Sequence, residues 1–222
     1  MINGVETAAK SLTSGLTRLS SWNGAQDDRL GAVADLAQGF EHLLKWTFVL
    51  VTHQESGEIP ADHDLKRLGH HPLKVLDALL LQAPSGSILA DDRDFLSTDG
   101  DFREMLAIFG DYGAGGRYSA LDGIIDDEIK QAPLMRLEAH ESSMYQRYPH
   151  LFELQKKGEL RRWIDEWYSL LAECQVTTLQ RGLRAISRMW TIGPASEEGK
   201  LASVNLHRFL FKQDQALGQF EV

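Results

Sequence analysis

The sequence is poor in cysteine and in long apolar runs. Its only cysteine is Cys174, so no internal disulfide can form, and this usage fits a reducing cytoplasm. The most apolar window, Leu43–Val51, spans about nine residues, whereas a membrane-spanning helix needs about 20. The first residues, MINGVETAAKSLTSGL, have no basic stretch before an apolar block, so we expect no secretory signal. These absences predict a cytoplasmic protein with no membrane partner.

Positive charge is also scarce, because the formal net charge is −9. Broad electrostatic binding to nucleic acid needs a basic face, so such binding would have to use a local patch. Residues 156–188 form such a patch, with seven basic and four acidic side chains. Within it, Arg181, Arg184 and Arg188 share one helical stripe. This stripe could contact RNA or an acidic partner, or it could pair with the acidic segment Asp91–Glu104.

Alternation of period two, which is typical of β-strands, is absent. Apolar residues instead recur every three or four positions, as in the stripe from Val5 to Leu19. Between Leu30 and His53 the apolar residues cover nearly the whole circumference of a helix, which predicts a central helix. We therefore predict an all-α helical bundle, with a single domain over residues 1–222.

The longest helical pattern runs from Gly158 to Trp190, and its apolar face changes near Gln175. The first face carries Leu160, Trp163, Ile164, Trp167, Leu171 and Cys174, and the second carries Val176, Leu179, Leu183, Ile186 and Trp190. Either the helix kinks there or its two halves have different neighbours. This change of face and the Val5–Leu19 stripe both suggest surface kept for a second subunit, so we expect a homodimer.

Histidine is concentrated between residues 40 and 80. Five of the eight histidines fall in this range, namely His42, His53, His63, His70 and His71. Zinc needs three or four ligands in tetrahedral geometry, but adjacent residues on a helix point about 100° apart. No CxxC or HExxH motif is present. We predict neither a metal nor another cofactor. Instead, we expect His63 and Asp64 to cap a short helix and His70 to close it.

Two further pairs of residues are candidate ligand contacts. Glu41 and Lys45 are four residues apart in the favoured order for a helical ion pair, which could shape a polar pocket or simply be structural. Arg117 and Tyr118 follow the glycine-rich stretch GDYGAGG at residues 110–116. An arginine beside an aromatic ring suits phosphate binding and base stacking. The alternative is that Tyr118 packs in the core and Arg117 pairs with a nearby acid.

Three short motifs resemble bacterial helical proteins of the HEPN type (higher eukaryotes and prokaryotes nucleotide-binding). They are FEHLLK at residues 40–45, HDLKRLGH at 63–70 and GRYSALDGI at 116–124. The resemblance covers about Leu30 to Ile125. It implies a HEPN-like part over residues 1–125, with residues 126–222 as a helical extension packing on it. Members of the group are helical bundles, often dimeric, and include RNA-cleaving toxins, defence proteins and non-catalytic scaffolds.

The chain departs from the nuclease pattern of that group, in which an Arg is followed by four to six residues and a His. Arg136 precedes His140 with three residues between them, and Arg67 precedes His70 with two. We therefore expect a non-catalytic binding or scaffold module of a defence or toxin–antitoxin-type system, with RNA, a nucleotide or a partner protein as ligand. The expected contacts are Arg117, Tyr118, Arg181, Arg184, Arg188, Glu41 and Lys45. The alternative is a metal-independent ribonuclease that uses His140 with Arg136, or His70 with Arg67.

Overall fold

The described part of the chain is built from α-helices, as the apolar periodicity predicts. The computed structural model describes residues 2–22, 24, 26–114, 133–195, 197–210 and 217. Those residues contain no strand. The helices are α1 (Ile2–Ser20), α2 (Gln26–Ser56), α3 (Asp62–Leu68), α4 (Pro72–Gln82), α5 (Ala90–Thr98), α6 (Gly100–Gly113), α7 (Pro133–Tyr145), α8 (Pro149–Lys156), α9 (Leu160–Thr191), α10 (Glu197–Ala202) and α11 (His207–Leu210), with a 3₁₀ turn (Ser203–Leu206) before α11.

Helix α2 lies at the centre and packs against α1, α4 and α6. The α1 stripe is buried against it, with Val5, Leu12 and Leu16 fully inaccessible to solvent. The two helices approach closely, since a Cβ atom added to Gly39 would lie 2.6 Å from Leu12 Cγ. The next residue of α2, Phe40, meets aromatic rings of α6. Burial of this nearly all-round apolar helix supplies much of the driving force for folding.

Helix α9 is continuous through Gln175 and serves different neighbours along its length. Leu171 belongs to a small cluster with Trp22 and Met144. From Val176 to Trp190 the helix joins the main core, which also contains residues of α1, α2, α5 and α6. The change of apolar face therefore reflects two sets of neighbours.

The connections follow the local chemistry of the sequence in most places. Pro72 lies in the first turn of α4, as predicted. Asp99 caps α6, because its side chain accepts a hydrogen bond of 2.8 Å from the Phe102 backbone N–H. The predicted capping by His63 and Asp64 is wrong. Helix α3 begins before them, and its N-cap is Ala61, which has no side chain able to accept a hydrogen bond.

The two features that suggested a homodimer have partners within the chain. Leu19, at the end of the α1 stripe, is 5% exposed and lies in the main core. Gln175, where α9 changes face, is buried and donates a hydrogen bond to Glu141. The homodimer therefore stays a prediction that these surfaces no longer support.

Across the described ranges, no helix combines the length and the apolar character needed to cross a bilayer.

We expect Gly182→Ala to destabilise the protein, because α9 approaches α6 at a point where a side chain does not fit. A Cβ atom at residue 182 would overlap the ring of Phe102, which is fully buried. Overpacking of this kind costs about 1–3 kcal/mol and outweighs the gain of up to ~1 kcal/mol in helix propensity. Urea denaturation measures the free energy of unfolding. Gly100→Ala is the control, since its Cβ atom meets nothing within 4 Å. Equal stability of the two variants would contradict the proposed close packing.

Candidate functional site

A pocket of about 360 Å³ opens between α2, the α3–α4 turn and the end of α6. We call it the Glu41 pocket. Its wall combines small apolar side chains with polar ones that can donate or accept hydrogen bonds. The lining residues are Ala34, Ala37, Gln38, Glu41, His42, His70, Tyr112 and Gly113.

The centre of this pocket is the carboxylate of Glu41, whose side chain is 13% exposed. Its Oε1 atom accepts a hydrogen bond of 2.7 Å from Lys45 Nζ, one helical turn away. The same oxygen lies 2.9 Å from His70 Nδ1. Because an ionised carboxylate can only accept, Nδ1 is the donor, and Glu41 fixes the orientation of the imidazole ring. The second ring nitrogen of His70 is not used by this contact.

Glu41 is more acidic than an ordinary glutamic acid. Burial raises its pKa, because removal from water disfavours the charged form. The hydrogen bonds and positive charge of Lys45 and His70 act in the opposite direction, and together they bring the net pKa of Glu41 below its ordinary value. The ion pair predicted from the spacing of Glu41 and Lys45 is present, and its carboxylate lines the pocket.

The α3–α4 turn, which carries His70 and His71, packs closely on α6. A Cβ atom at Gly113 would lie 3.1 Å from the His70 carbonyl oxygen, and one at Gly110 would lie 2.9 Å from His71 Nδ1. The α3–α4 turn therefore rests directly on α6 where α6 has glycine. Burial, followed by the positive charge of Lys74, lowers the pKa of His71. The predicted closing of the short helix by His70 is absent, since its ring bonds to α2 instead.

The pair His140 and Arg136 lies inside the packing of α7 against α6. The His140 side chain is 7% exposed, and burial lowers its pKa. Arg136 donates two hydrogen bonds to Glu104, of 2.6 and 2.9 Å, and one of 2.7 Å to Asp111. Hydrogen bonding to Glu104 raises the pKa of Arg136. This guanidinium already holds two carboxylates, so the geometry favours a structural role.

The second candidate pair for catalysis, His70 and Arg67, is at the surface. The Arg67 side chain is 81% exposed and reaches Asp64 at 3.5 Å. His70 is 59% exposed and points to Glu41. Within the described residues, these two side chains share no contact, so only His70 has a fixed place in the pocket.

The arginine stripe of α9 is engaged within the chain. Arg181 lies over the ring of Phe95, 4.4 Å from its centroid. Arg184 is buried, at 7% exposure. Arg188 donates a hydrogen bond of 3.0 Å to Asp92, which belongs to the acidic segment considered above. These positions favour the structural alternative for the stripe. Arg117 and Tyr118 lie outside the described residues.

The histidine-rich region shows no metal centre. Within the ranges that the structure describes, no group of three or more His, Cys, Asp or Glu side chains is arranged to hold a metal ion. His63 contacts Asp64 at 3.4 Å, and His70 contacts Glu41.

Comparison of the chain with protein-family models, curated proteins and solved structures found no match in any of the three. The resemblance to HEPN-type proteins therefore depends on the three motifs quoted above and stays a hypothesis.

Sequence reasoning missed most of the wall of the Glu41 pocket, although a signal was present. Gln38, Glu41, His42 and Lys45 recur at helical spacing of three and four, which is a polar stripe on an otherwise apolar helix. A polar stripe on a central helix must be satisfied by partners or face a cavity. Tyr112 had no such signal, because its contribution depends on how α6 packs.

We expect acid to destabilise the wild-type protein more than the Glu41→Gln variant. A carboxyl group whose pKa is lower in the folded protein than in the unfolded chain stabilises the folded state at any pH above its pKa in the unfolded chain. This stabilisation is lost as the pH falls through the pKa of the group in the folded protein. The ordinary value for glutamic acid is 4.5. The free energy of unfolding, measured in urea at pH 6 and at pH 4, should therefore fall less in Glu41→Gln. Glu55→Gln is the control, since Glu55 is exposed on the same helix. Parallel losses in all three proteins would contradict this role.

Proposed function

We propose that the chain is a helical binding module that holds a nucleotide, free or within single-stranded RNA, in the Glu41 pocket without cleaving it. One observation carries this proposal. Lys45 of α2 and His70 of the α3–α4 turn both contact the same carboxylate oxygen, Glu41 Oε1, at the edge of a pocket. A partly buried carboxylate that orients an imidazole fixes the polar groups before a ligand arrives, which lowers the cost of binding.

The size and chemistry of the pocket support a nucleotide. A volume of about 360 Å³ falls in the range of small-molecule sites. The Gln38 amide both donates and accepts hydrogen bonds, as the edges of nucleobases require. The rings of His42, His70 and Tyr112 provide surfaces on which a base can stack. Lys45 Nζ lies 2.7 Å from Glu41 Oε1, so its positive charge is close to the pocket and available to a phosphate that approaches this ion pair.

The wider setting of this proposal comes from the resemblance to HEPN-type proteins. It suggests a scaffold in a bacterial defence or toxin–antitoxin-type system. Arg117 and Tyr118 are proposed as further RNA contacts on sequence grounds alone. Arg181 and Arg188 already contact Phe95 and Asp92, so they support RNA binding less than the pocket does.

Calorimetric titration of the protein with nucleoside monophosphates and with a short single-stranded RNA tests the proposal. We expect saturable binding that His70→Ala weakens about tenfold, as loss of one or two hydrogen bonds would. His63→Ala is the matched control, because His63 is 80% exposed and lines none of the described pockets. Absence of binding at millimolar nucleotide, or equal affinities of His70→Ala and His63→Ala, would contradict the proposal.

A metal-independent ribonuclease is the second candidate function. The observation that favours it is the fixed orientation of His70, since a general acid or base must be held in place by a hydrogen bond to its other nitrogen. Incubation of RNA with the protein and a chelator separates the two functions. If the wild-type protein cleaves RNA and His70→Ala does not, the ribonuclease is the correct function and the non-catalytic module is wrong. Intact RNA that is bound with the affinity expected above supports the non-catalytic module.

The homodimer is also a proposal, and its remaining support is the resemblance to HEPN-type proteins, which are often dimeric. Light scattering at micromolar concentration should give twice the mass of the 24.9 kDa chain. A single species at the mass of one chain would overturn it.

A further inference from the structure

A second pocket, of about 400 Å³, lies between α7 and α9 and shares no lining residue with the Glu41 pocket. We call it the aromatic pocket. Its wall consists of three aromatic side chains, two carboxylates and one serine hydroxyl group. The lining residues are Glu138, Glu141, Ser142, Tyr145, Trp163 and Trp167.

The rings of Trp163 and Trp167 each stand nearly at right angles to the ring of Tyr145. The Tyr145 and Trp163 rings have centroids 6.2 Å apart and planes at 82°. The Tyr145 and Trp167 rings have centroids 5.0 Å apart and planes at 86°. Trp163 Nε1 donates a hydrogen bond of 2.8 Å to the Tyr145 hydroxyl, which fixes the corner between them. Phe152 packs against the same Tyr145 ring, with centroids 4.7 Å apart. Several aromatic rings around one space are the type of enclosure that binds organic cations.

The carboxylates give the aromatic pocket a negative balance. The Glu138 side chain is 56% exposed, whereas the Glu141 side chain is 10% exposed. The buried side chain of Arg29 forms an ion pair with Glu141 and lies 3.6 Å from Glu138. One guanidinium thus faces two carboxylates, so one negative charge is left at formal charges. Glu138, which is the more exposed of the two, is the group available to a ligand.

The same chemistry already operates next to this pocket. Arg29 is held by a carboxylate and lies over the ring of Trp22, 5.1 Å from its centroid. The protein therefore binds one of its own cations between an aromatic face and Glu141. The aromatic pocket repeats this combination with three rings and an accessible carboxylate.

We propose that the aromatic pocket binds the alkylated ammonium head group of an organic cation. A trimethylammonium group is large, weakly hydrated and positively charged, so it gains from aromatic faces without requiring a hydrogen-bond acceptor for every proton. Glu138 provides the counter-charge at the mouth. An anionic ligand, such as a nucleotide, is repelled by the same carboxylate, and a neutral ligand gains nothing from it. Such a head group can belong to a free small molecule or to a trimethylated lysine in a peptide.

Calorimetric titration with choline tests the proposal, and 3,3-dimethylbutan-1-ol is the neutral control of the same shape. We expect saturable binding of choline or of a trimethyl-lysine peptide at constant ionic strength, and much weaker binding of the alcohol. Choline binding identifies a free small molecule as the source, and binding of the peptide alone identifies a modified protein. Binding of the alcohol as tight as that of choline would overturn the proposal, because it would show simple apolar burial.

Paired substitutions at residue 145 separate the aromatic face from the hydroxyl group. Tyr145→Phe keeps the ring but loses the hydrogen bond from Trp163 Nε1, so it should weaken binding of the ammonium ligand less than Tyr145→Leu does. Tyr145→Leu removes the ring and should weaken binding about fivefold to tenfold, the range expected for loss of one cation–π face. Circular dichroism and thermal unfolding show whether each variant is folded. Equal affinities of the Phe and Leu variants would overturn the proposal.

Glu138→Gln provides a second variant that does not depend on core packing, since its side chain is mostly exposed. We expect affinity about two- to fivefold weaker and a smaller dependence on salt, because an exposed ionic contact is modest and screened. If Tyr145→Leu does not fold, this variant decides the question. Unchanged affinity in Glu138→Gln in that case, or no binding of any ammonium ligand at millimolar concentration, would overturn the proposal.

Discussion

The burial of α2 is the constraint on which the rest of the structure depends. A helix that is apolar around most of its circumference has to be covered on several sides, and α1, α4 and α6 do this. The polar side chains on its covered sides then lose water and need partners. Thr47 receives a hydrogen bond of 2.8 Å from Trp190 Nε1. Glu41 is satisfied by Lys45 and His70, and Arg29 by Glu141.

Both candidate pockets lie where the polar side chains of this central helix are satisfied. In the Glu41 pocket the polar group belongs to α2 itself, and a turn from elsewhere in the chain brings the imidazole to it. In the aromatic pocket, α2 contributes only indirectly, since Arg29 holds Glu141 in place beside the rings of α7 and α9. The two pockets thus share an origin in the same helix, but their charges suit ligands of different chemistry.

The fold followed from the sequence more completely than the candidate sites did. Helical periodicity depends on neighbouring residues, so it predicted α2, the length of α9 and the position of Pro72. It also placed Lys45 one turn from Glu41. It could not place His70 there, because 29 residues separate His70 from Glu41 and only packing brings them together. Periodicity places Trp163 and Trp167 on one apolar stripe of α9. It does not show that they line a pocket, because it gives the direction of a side chain and not how far the side chain is buried.

The close approaches at Gly39 and Gly182 restrict how this protein can diverge in evolution. Neither position can accept a larger residue without moving a helix, because Leu12 and the Phe102 ring occupy the space that a Cβ atom would need. Surface residues on the same helices have no such limit. Distant relatives with the same helix spacing should therefore keep a small residue at both places after most of the exterior has been replaced. The spacing of these helices would then be conserved for longer than most of the surface sequence.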